Sequence, residues 1–314
     1  MHSTETALLK VVNDLRRAAD NNNVSILLNL DLSAAFDTID HHILLERLHK
    51  FLGISGVALQ WFKSYLSERV QTVHFNNECS DPTHILYGVP QGSVLGPILF
   101  LIYVLPLGII LRNLGFSFHL YADDTQIYIS ATLDNFNDQI NRLKNGYTVI
   151  NEFLSTNYLK LNHDKSQVVL IGKPHIVSQI KQSVNSIQLE NVNIPFSETI
   201  MNLGVLLDES LSFKQHITDI SKCSLYKLRN LRLIRNHFNR KNFEILIHAF
   251  VTSKVDYCNS LFSGISKSDL RPLEIVQNYA ARLVLKRGRF ASSKPLLKEL
   301  HWLPIINRVD YKVF

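Results

Sequence analysis

Three aspartates are the side chains in this sequence best suited to hold a divalent cation. Asp31 closes the apolar run VSILLNLDL, and the adjacent pair Asp123 and Asp124 lies far along the chain within FSFHLYADDTQIYIS. Magnesium prefers carboxylate oxygens and needs only one or two per ion, because water and substrate phosphates fill its other positions. An Asp-Asp pair alone is weak support, since aspartate favours turns for local reasons. The chemistry therefore requires that the fold bring Asp31 to the pair.

The patterns around these acids predict that they converge. Residues 24–32 form a β-rich apolar run, which predicts a buried strand ending at Asp31. Phe116, Phe118 and Leu120 alternate with polar residues, and the alternation resumes after the acids, which predicts a β-hairpin with an acidic tip. Helices, strands and hairpins alternate irregularly along the chain. This irregular order favours an α+β fold over a doubly wound sheet.

Helical periodicity predicts the elements between the strands. The N-terminal stretch reads as an amphipathic helix, AAFDTIDHHILLERLHKFLG as a helix ending at Gly53, and VALQWFKSYL as the next one. Further helices are predicted around 134–156 and from Phe213 onward, whereas NLGVLLD predicts one more strand. His41 and His42 lack a metal-ligand period, so we interpret them as residues at the start of a helix.

The uncharged stretch 94–111 is about long enough to cross a bilayer. Its prolines and glycines fit a short buried helix better, one that Pro97 opens in its first turn and that ends near Pro106. We therefore expect no membrane partner, and a membrane span is the minor alternative.

Charge is distributed unevenly along the chain. Residues 1–210 hold 14 Lys and Arg against 20 Asp and Glu, whereas residues 211–314 hold 19 against 7. Such an asymmetry suits a basic part that binds an anionic polymer, although a solvated basic surface explains the charge equally well. The three cysteines are far apart and indicate neither disulfides nor a zinc site. With no signal-peptide core, we expect an intracellular protein, nuclear or cytoplasmic.

Three longer motifs occur in a characteristic order. LDLSAAFDTIDHHILLERL, GVPQGSVLGPILFLIY and YADDTQIY resemble motifs A, B and C of the reverse transcriptases of LINE-type (non-LTR) retrotransposons. LNHDKS is similar to the lysine-bearing motif D and NLGVLLD to the strand after it. VDYCNSLFSGI, VQNYAARLVL and LHWLPIINRVDYK are similar to the thumb and downstream region. The resemblance extends over essentially the whole chain.

The resemblance implies a right-hand polymerase fold. Residues 1–210 would form the palm, an antiparallel sheet with packed helices and a remnant of the fingers. Residues 211–314 would form a basic α-helical thumb and the start of a downstream region. We expect the fingers to be largely missing, together with the endonuclease domain that normally precedes the polymerase in this family. This expectation leaves open whether the chain is active.

The resemblance also implies roles for single residues. Asp31 and Asp123 would bind two Mg²⁺ ions, or Mn²⁺, with Asp124 close by, and Lys165 would protonate the departing pyrophosphate or neutralise its charge. The ring of Phe36 would exclude a ribose 2′-hydroxyl. The residues assigned to substrate binding are Phe36, Pro90, Gln91, Gly92, Ser93 and Tyr121. Those assigned to the nucleic-acid backbone are Lys222, Lys227, Arg229, Arg232 and Arg235.

The expected function is therefore an RNA-directed DNA polymerase that uses an RNA template, a DNA primer and deoxynucleoside triphosphates. A non-catalytic nucleic-acid-binding module with the same fold is the first alternative. A telomerase-like or intron-maturase enzyme is the second, and the close match at LDLSAAFDTIDH and GVPQGSVLGP speaks against it. The sequence leaves the oligomeric state open.

Overall fold

The structure, a computed structural model, describes residues 3–313 and divides them into two compact units. The sheet unit comprises residues 23–170 and 178–197, and the helical unit comprises residues 3–22, 171–177 and 198–313. The units do not follow the boundary predicted at residue 210, because the N-terminal helix groups with the C-terminal part of the chain. The palm and thumb limits rest on resemblance and stay a prediction.

The strands are short except for those that carry the sheet. In chain order they are β1 (Val24–Ser33), β2 (Arg69–Gln71), β3 (His74–Phe75), β4 (Glu78–Cys79), β5 (Thr83–Ile85), β6 (Ser117–Tyr121), β7 (Asp124–Ala131), β8 (Lys160–Ile171), β9 (Ser186–Leu189), β10 (Val192–Ser197), β11 (Thr199–Asn202) and β12 (Val205–Asp208).

The α-helices account for most of the remaining chain. They are α1 (Thr4–Asp20), α2 (His41–Leu52), α3 (Gly56–Leu66), α4 (Gly96–Asn113), α5 (Phe136–Thr156), α6 (Pro174–Ser183), α7 (Lys214–Ile234), α8 (Arg240–Ile247), α9 (Ser253–Val255), α10 (Lys267–Val284), α11 (Ser293–Glu299) and α12 (Ile305–Val313).

Six strands form the main sheet in the order β6-β7-β1-β8-β10-β9. β1 pairs antiparallel with β7 from Val24↔Ala131 to Leu30↔Thr125, and β6 pairs antiparallel with β7 as the predicted hairpin. The expectation of a wholly antiparallel sheet is wrong at one place, because β10 runs parallel to β8. Parallel neighbours need a crossover connection, and the segment with α6 and β9 provides the length for it. The sheet is therefore mixed.

Two predicted boundaries need correction. The helix predicted from residue 34 begins only at His41, because the Asp40 side chain accepts a hydrogen bond from Ile43 N at 2.9 Å and caps α2, while residues 34–37 form turns. It ends at Gly53, as predicted, in the left-handed conformation. In the helical unit, the single strand predicted for NLGVLLD is the hairpin β11–β12, whose turn contains Gly204 at φ +79°.

Helix α4 continues through Pro106, where it was predicted to end. An interior proline costs about 3 kcal/mol, and the buried side chains on both sides of it, including Phe100, Tyr103, Leu107 and Leu111, offset that cost by packing. Pro97 does open the helix, as predicted. Among the helices of the described residues, α4 alone is long and apolar enough to cross a membrane, and 39% of its residues are buried inside the protein. The core helix of a protein that does not cross a membrane can have the same length and composition.

Arg235 holds the helical unit together from its interior. It follows α7 directly, is only 7% exposed, and its guanidinium lies 4.5 Å from the centre of the Phe243 ring. The side chain donates to Leu283 O at 2.8 Å and Val284 O at 2.6 Å, at the end of α10, and to Phe238 O at 2.8 Å. Helix-terminal carbonyls lack partners within their own helix. Arg235 therefore joins the ends of α7 and α10.

Replacing this arginine is expected to destabilise the helical unit. Arg235→Ala should lower the free energy of unfolding by about 3 kcal/mol, because charge-assisted hydrogen bonds to the carbonyls at the end of α10 are lost from a buried position. Arg232 is exposed, so Arg232→Ala is the control and should change the free energy of unfolding by less than about 0.5 kcal/mol. Urea denaturation followed by circular dichroism measures both. Equal midpoints for the two variants would contradict the structural role.

Candidate active site

The pairing of β1 with β7 brings the predicted acids together. The register ends at Leu30↔Thr125, so Asp31 and Asp124 are the next residues along the two paired strands, and the charge of Asp31 acts on the Asp124 carboxyl group. Tyr121 pairs with Asp124 across the hairpin, which leaves Ala122, at φ +52°, and Asp123 in the turn. Asp31 and the hairpin tip therefore share one edge of the sheet.

The electrostatics of this edge reflect three neighbouring carboxylates. Asp124 is exposed as a residue, yet surrounding protein atoms partly desolvate its carboxyl group, and this desolvation raises its pKa. The negative charges of Asp123 and then Asp31 raise the pKa of Asp124 further. A cation bound at this edge would relieve the repulsion.

Lys165 lies where motif D was expected to contribute a cation. It belongs to β8, the neighbour of β1 in the sheet, and its Nζ is 3.7 Å from Asp31 Oδ2. The lysine side chain is 70% exposed and that of Asp31 is 30% exposed, so the pair contributes little to stability. The lysine is therefore free to exchange this contact for another anion near Asp31.

The donor set fits divalent metal ions by its chemistry, but it is not a closed coordination site. Among residues 3–313, no group of three or more His, Cys, Asp or Glu side chains has the arrangement of a metal site. Asp31, Asp123 and Asp124 nevertheless supply hard oxygen ligands at one edge, and magnesium needs few of them from protein. Water and substrate phosphates would have to complete the coordination.

The loop after β5 is fixed to the turn after β1. Gly88 N donates to Ile39 O at 2.8 Å, Val89 N donates to Phe36 O at 2.9 Å, and His41 Nε2 donates to Gly88 O at 2.8 Å. Gly88 has φ +84°, and a Cβ atom there would lie 2.9 Å from the Asp37 backbone. Only glycine allows this approach. Turn and loop therefore form one element.

Two residues of this element, Asp37 and His41, were not predicted as site residues. Asp37 Oδ1 accepts from Gln91 Nε2 at 2.9 Å, which orients the predicted Gln91 side chain. His41 is the first residue of α2, as interpreted from the sequence, and in addition it holds Gly88. Gly88, which opens GVPQGS, is the sequence signal for a close approach of two backbone segments. The segment that it approaches, at Asp37, is determined by the tertiary fold and cannot be read from the sequence.

The other predicted substrate residues surround this element. The half-buried Phe36 ring lies 4.8 Å from the ring of the buried Phe100 on α4, so part of it packs in the core. Ser93 Oγ accepts from Gly96 N, in the first turn of α4, at 3.0 Å and donates to Pro90 O at 2.7 Å. Gly92 has φ +78°. Pro90 and Tyr121 are half-buried, and Gln91 is exposed.

The predicted backbone-binding residues lie in the helical unit. Lys222, Arg229 and Arg232 are exposed along α7. Lys227 is half-buried, with Nζ 5.9 Å from the centre of the Phe250 ring. Arg235 requires correction, because it is buried and donates to the carbonyls at the end of α10. Its place in the helical repeat suggested an exposed position, but the chain leaves the regular helix there.

Comparison with known proteins identifies the family. A family model described as reverse transcriptase (RNA-dependent DNA polymerase) matches residues 1–215. The chain belongs to the reverse transcriptase family. This match covers the three aspartates, the Gly88–Ser93 loop and Lys165, and it confirms the resemblance seen in the motifs.

Retrotransposon proteins are among the relatives of this reverse transcriptase chain. It is 24% identical over 325 residues to the probable RNA-directed DNA polymerase from transposon X-element of Drosophila melanogaster, covering 98% of this chain and 34% of that protein. The probable RNA-directed DNA polymerase from transposon BS of the same organism is 23% identical, over 96% of this chain and 33% of that protein. The RNA-directed DNA polymerase from its mobile element jockey is 24% identical, over 95% of this chain and 32% of that protein. The chain spans about a third of the length of these relatives.

Solved structures add little to this identification. A telomerase from Candida albicans, determined with a fragment of telomeric RNA, is 14% identical and has a TM-score of 0.42 over 94% of this chain and 54% of that one. A telomerase from Candida tropicalis gives a TM-score of 0.44. Scores at this level carry no structural argument.

Because the loop docks on the turn, we expect alanine substitution to destabilise the protein more at Gly88 than at Gly92, although both glycines have positive φ. Gly92→Ala should cost about 1–2 kcal/mol of unfolding free energy, the penalty of a left-handed residue, because its Cβ would enter open space. Gly88→Ala should cost about 1–3 kcal/mol more, since its Cβ would overlap the Asp37 backbone. Urea denaturation of both variants tests this. A Gly88→Ala variant as stable as Gly92→Ala would show that the loop does not dock.

Proposed function

We propose that this chain is the polymerase part of a LINE-type retrotransposon reverse transcriptase and joins deoxynucleotides to a DNA primer on an RNA template. The observation that carries the proposal is the pairing of β1 with β7, which ends one residue before Asp31 and Asp124 and brings Asp31 near the hairpin tip. In this proposal residues 1–210 contain the palm, and residues 211–314 contain the thumb and the start of a downstream region. Family membership supports the reaction class.

In the proposed reaction, the primer 3′-hydroxyl loses its proton to water, its oxygen bonds to the α-phosphorus of the incoming triphosphate, and the bond between that phosphorus and the pyrophosphate oxygen breaks. Two divalent ions, held by Asp31 and Asp123 with Asp124 beside them, would supply charge stabilisation to the attacking and leaving oxygens. Lys165, whose ammonium lies 3.7 Å from Asp31, neutralises or protonates the pyrophosphate as it leaves.

The fixed loop has a positioning role. Its attachment to the turn at Phe36 and Ile39 holds Gln91 and Ser93 at a constant place relative to Phe36. We assign Pro90 to Ser93 to support of the nascent base pair, with Tyr121 beside the acids and Phe36 beneath the incoming sugar. Rigid placement of reacting groups is itself a large part of catalysis.

The exposed cations of α7 are assigned to the nucleic-acid backbone. Lys222, Arg229 and Arg232 lie along one helix, and such contacts read charge and shape without reading sequence. Binding through them should weaken steeply as the salt concentration rises. We place the activity in the nucleus or cytoplasm, where such elements meet RNA and chromosomal DNA.

A second candidate is a nucleic-acid-binding module that does not catalyse. It is favoured by the exposed cations Lys222, Arg229 and Arg232 along α7, which can bind a nucleic-acid backbone without any chemistry at the acids. The two candidates differ in one respect that can be measured directly, which is incorporation of nucleotides.

Primer extension tests the polymerase proposal. With poly(rA) template, oligo(dT) primer, dTTP and Mg²⁺, the chain should extend the primer, and Asp123→Asn should lower the rate at least about a hundred-fold, because charge stabilisation at the reacting phosphate is lost. Asp134→Asn, an exposed aspartate after β7, is the matched control and should keep full activity. Salt-sensitive template binding with no extension by the wild-type chain would instead establish the binding module.

Sugar selection tests the role of Phe36. Phe36→Ala removes the ring that would clash with a ribose 2′-hydroxyl, so the preference for dTTP over UTP should fall about ten-fold or more. Phe36→Tyr keeps the ring and should keep the preference. The ratio of kcat/KM for the two nucleotides is the measurement. An unchanged ratio in Phe36→Ala would mean that this ring only packs against Phe100.

A further inference from the structure

Two aromatic rings of α3 and the guanidinium that begins β2 form a stack with one exposed end. Trp61 and Tyr65 lie about one helical turn apart on α3, and Arg69 is the first residue of β2. Trp61 is 53% exposed, whereas Tyr65 and Arg69 are half-buried. The Trp61 and Tyr65 rings are 5.5 Å apart and nearly parallel, at 13°. The Arg69 guanidinium lies 5.5 Å from the centre of the Tyr65 ring. We call these three residues the α3 stack.

The stack ends at a cleft beside the Gly88–Ser93 loop. This cleft has a volume of about 730 Å³, and its lining includes Arg69, Gln71, His84, Gln91 and Asp37. Arg69 thus belongs both to the stack and to the cleft, and Gln91 belongs both to the cleft and to the loop. The stack, the cleft and the loop form one continuous surface of the sheet unit.

Arg69 is a half-buried cation without a carboxylate partner in the part of the chain that the structure describes. Its one hydrogen bond is from Nη1 to Tyr65 O at 3.4 Å, which leaves most of its five N–H donors available. Asp37, the carboxylate in the same cleft, accepts from Gln91 instead. A partly desolvated guanidinium with free donors is suited to bind a phosphate.

We propose that the α3 stack and its cleft bind single-stranded nucleic acid, with a base stacked on Trp61 and a backbone phosphate on Arg69. Stacking platforms next to cations are the usual means of holding single strands without reading sequence. Gln71 and His84 offer donors and acceptors to unpaired base edges in the cleft. The identity of the strand as the RNA template on its way to the acids rests on the proposed function, whereas the binding itself does not.

Tryptophan fluorescence gives a direct signal for this site. The chain has two tryptophans, and the other one, Trp302, is only 9% exposed and lies in the helical unit. Single-stranded oligo(rA), added without divalent cations, should quench the emission of the full chain. In Trp61→Phe, which keeps a stacking ring, the quenching should disappear while the affinity measured with labelled oligo(rA) is retained within about two-fold.

Variants separate stacking from charge. Trp61→Ala should weaken oligo(rA) binding at least about five-fold with no change in its salt dependence, because a stacked base is lost but no phosphate contact. Arg69→Gln should weaken binding and also reduce the slope of log K against log salt by about 0.7, the value for one phosphate of a single strand. Fluorescence anisotropy of labelled oligo(rA) at several salt concentrations measures both quantities.

Matched controls come from the same part of the chain. Lys63→Gln removes a cation on the opposite side of α3, and Phe51→Ala removes an exposed aromatic ring of α2 outside the stack. Both should bind oligo(rA) as the wild type does. The proposal is overturned if Trp61→Ala and Arg69→Gln bind with wild-type affinity, or if the controls lose as much. It is also overturned if light scattering shows a dimer that Trp61→Ala abolishes while RNA binding is unaffected.

The outcome is independent of the polymerase proposal. Asp134→Asn should bind oligo(rA) with full affinity, since this exposed aspartate lies outside the stack, the cleft and the three acids. If the wild-type chain fails to extend a primer but the stack variants lose RNA binding, the polymerase proposal fails and this inference stands. If the wild-type chain extends a primer and the stack variants bind RNA with wild-type affinity, this inference fails and the polymerase proposal stands.

Discussion

The antiparallel pairing of β1 with β7 is the constraint on which the candidate site depends. It brings Asp31 near Asp124, and with it the hairpin tip at Asp123, so that three like charges share one edge of the sheet. Desolvation first, and then the charges of Asp123 and Asp31, raise the pKa of Asp124, which makes this edge unfavourable without a neighbouring cation. Lys165 meets part of that need from the adjacent strand. A register shift of one residue would turn Asp31 to the other face and remove the site.

A second constraint attaches the Gly88–Ser93 loop to the turn that follows β1. The turn that follows β1 receives the backbone of Gly88 and Val89, so the loop with Gln91 and Ser93 is held by the element that carries Asp31. The strand that carries Asp31 and the loop with Gln91 and Ser93 are thereby joined through a few backbone hydrogen bonds. Gly88 makes this possible because any side chain there would overlap Asp37.

The sequence predicted much of this arrangement because its signals were local. Alternation on both sides of Asp123 and Asp124 gave the hairpin, and the apolar run before Asp31 gave the strand. Tertiary contacts decided the rest. Pro106 stays inside α4 because packing outweighs a lost hydrogen bond, Arg235 turns inward to the end of α10, and β10 pairs parallel to β8 after a crossover. The α3 stack, likewise, becomes visible only when Trp61, Tyr65 and Arg69 are seen in contact.

We propose that Asp31 and Asp123 together hold divalent cations, and Mn²⁺ binding measured by electron paramagnetic resonance tests this role most directly. The wild-type chain should bind Mn²⁺ in competition with Mg²⁺, and Asp31→Asn and Asp123→Asn should each weaken that binding strongly, whereas Asp134→Asn should not. Wild-type affinity for Mn²⁺ in both the Asp31 and Asp123 variants would contradict the account.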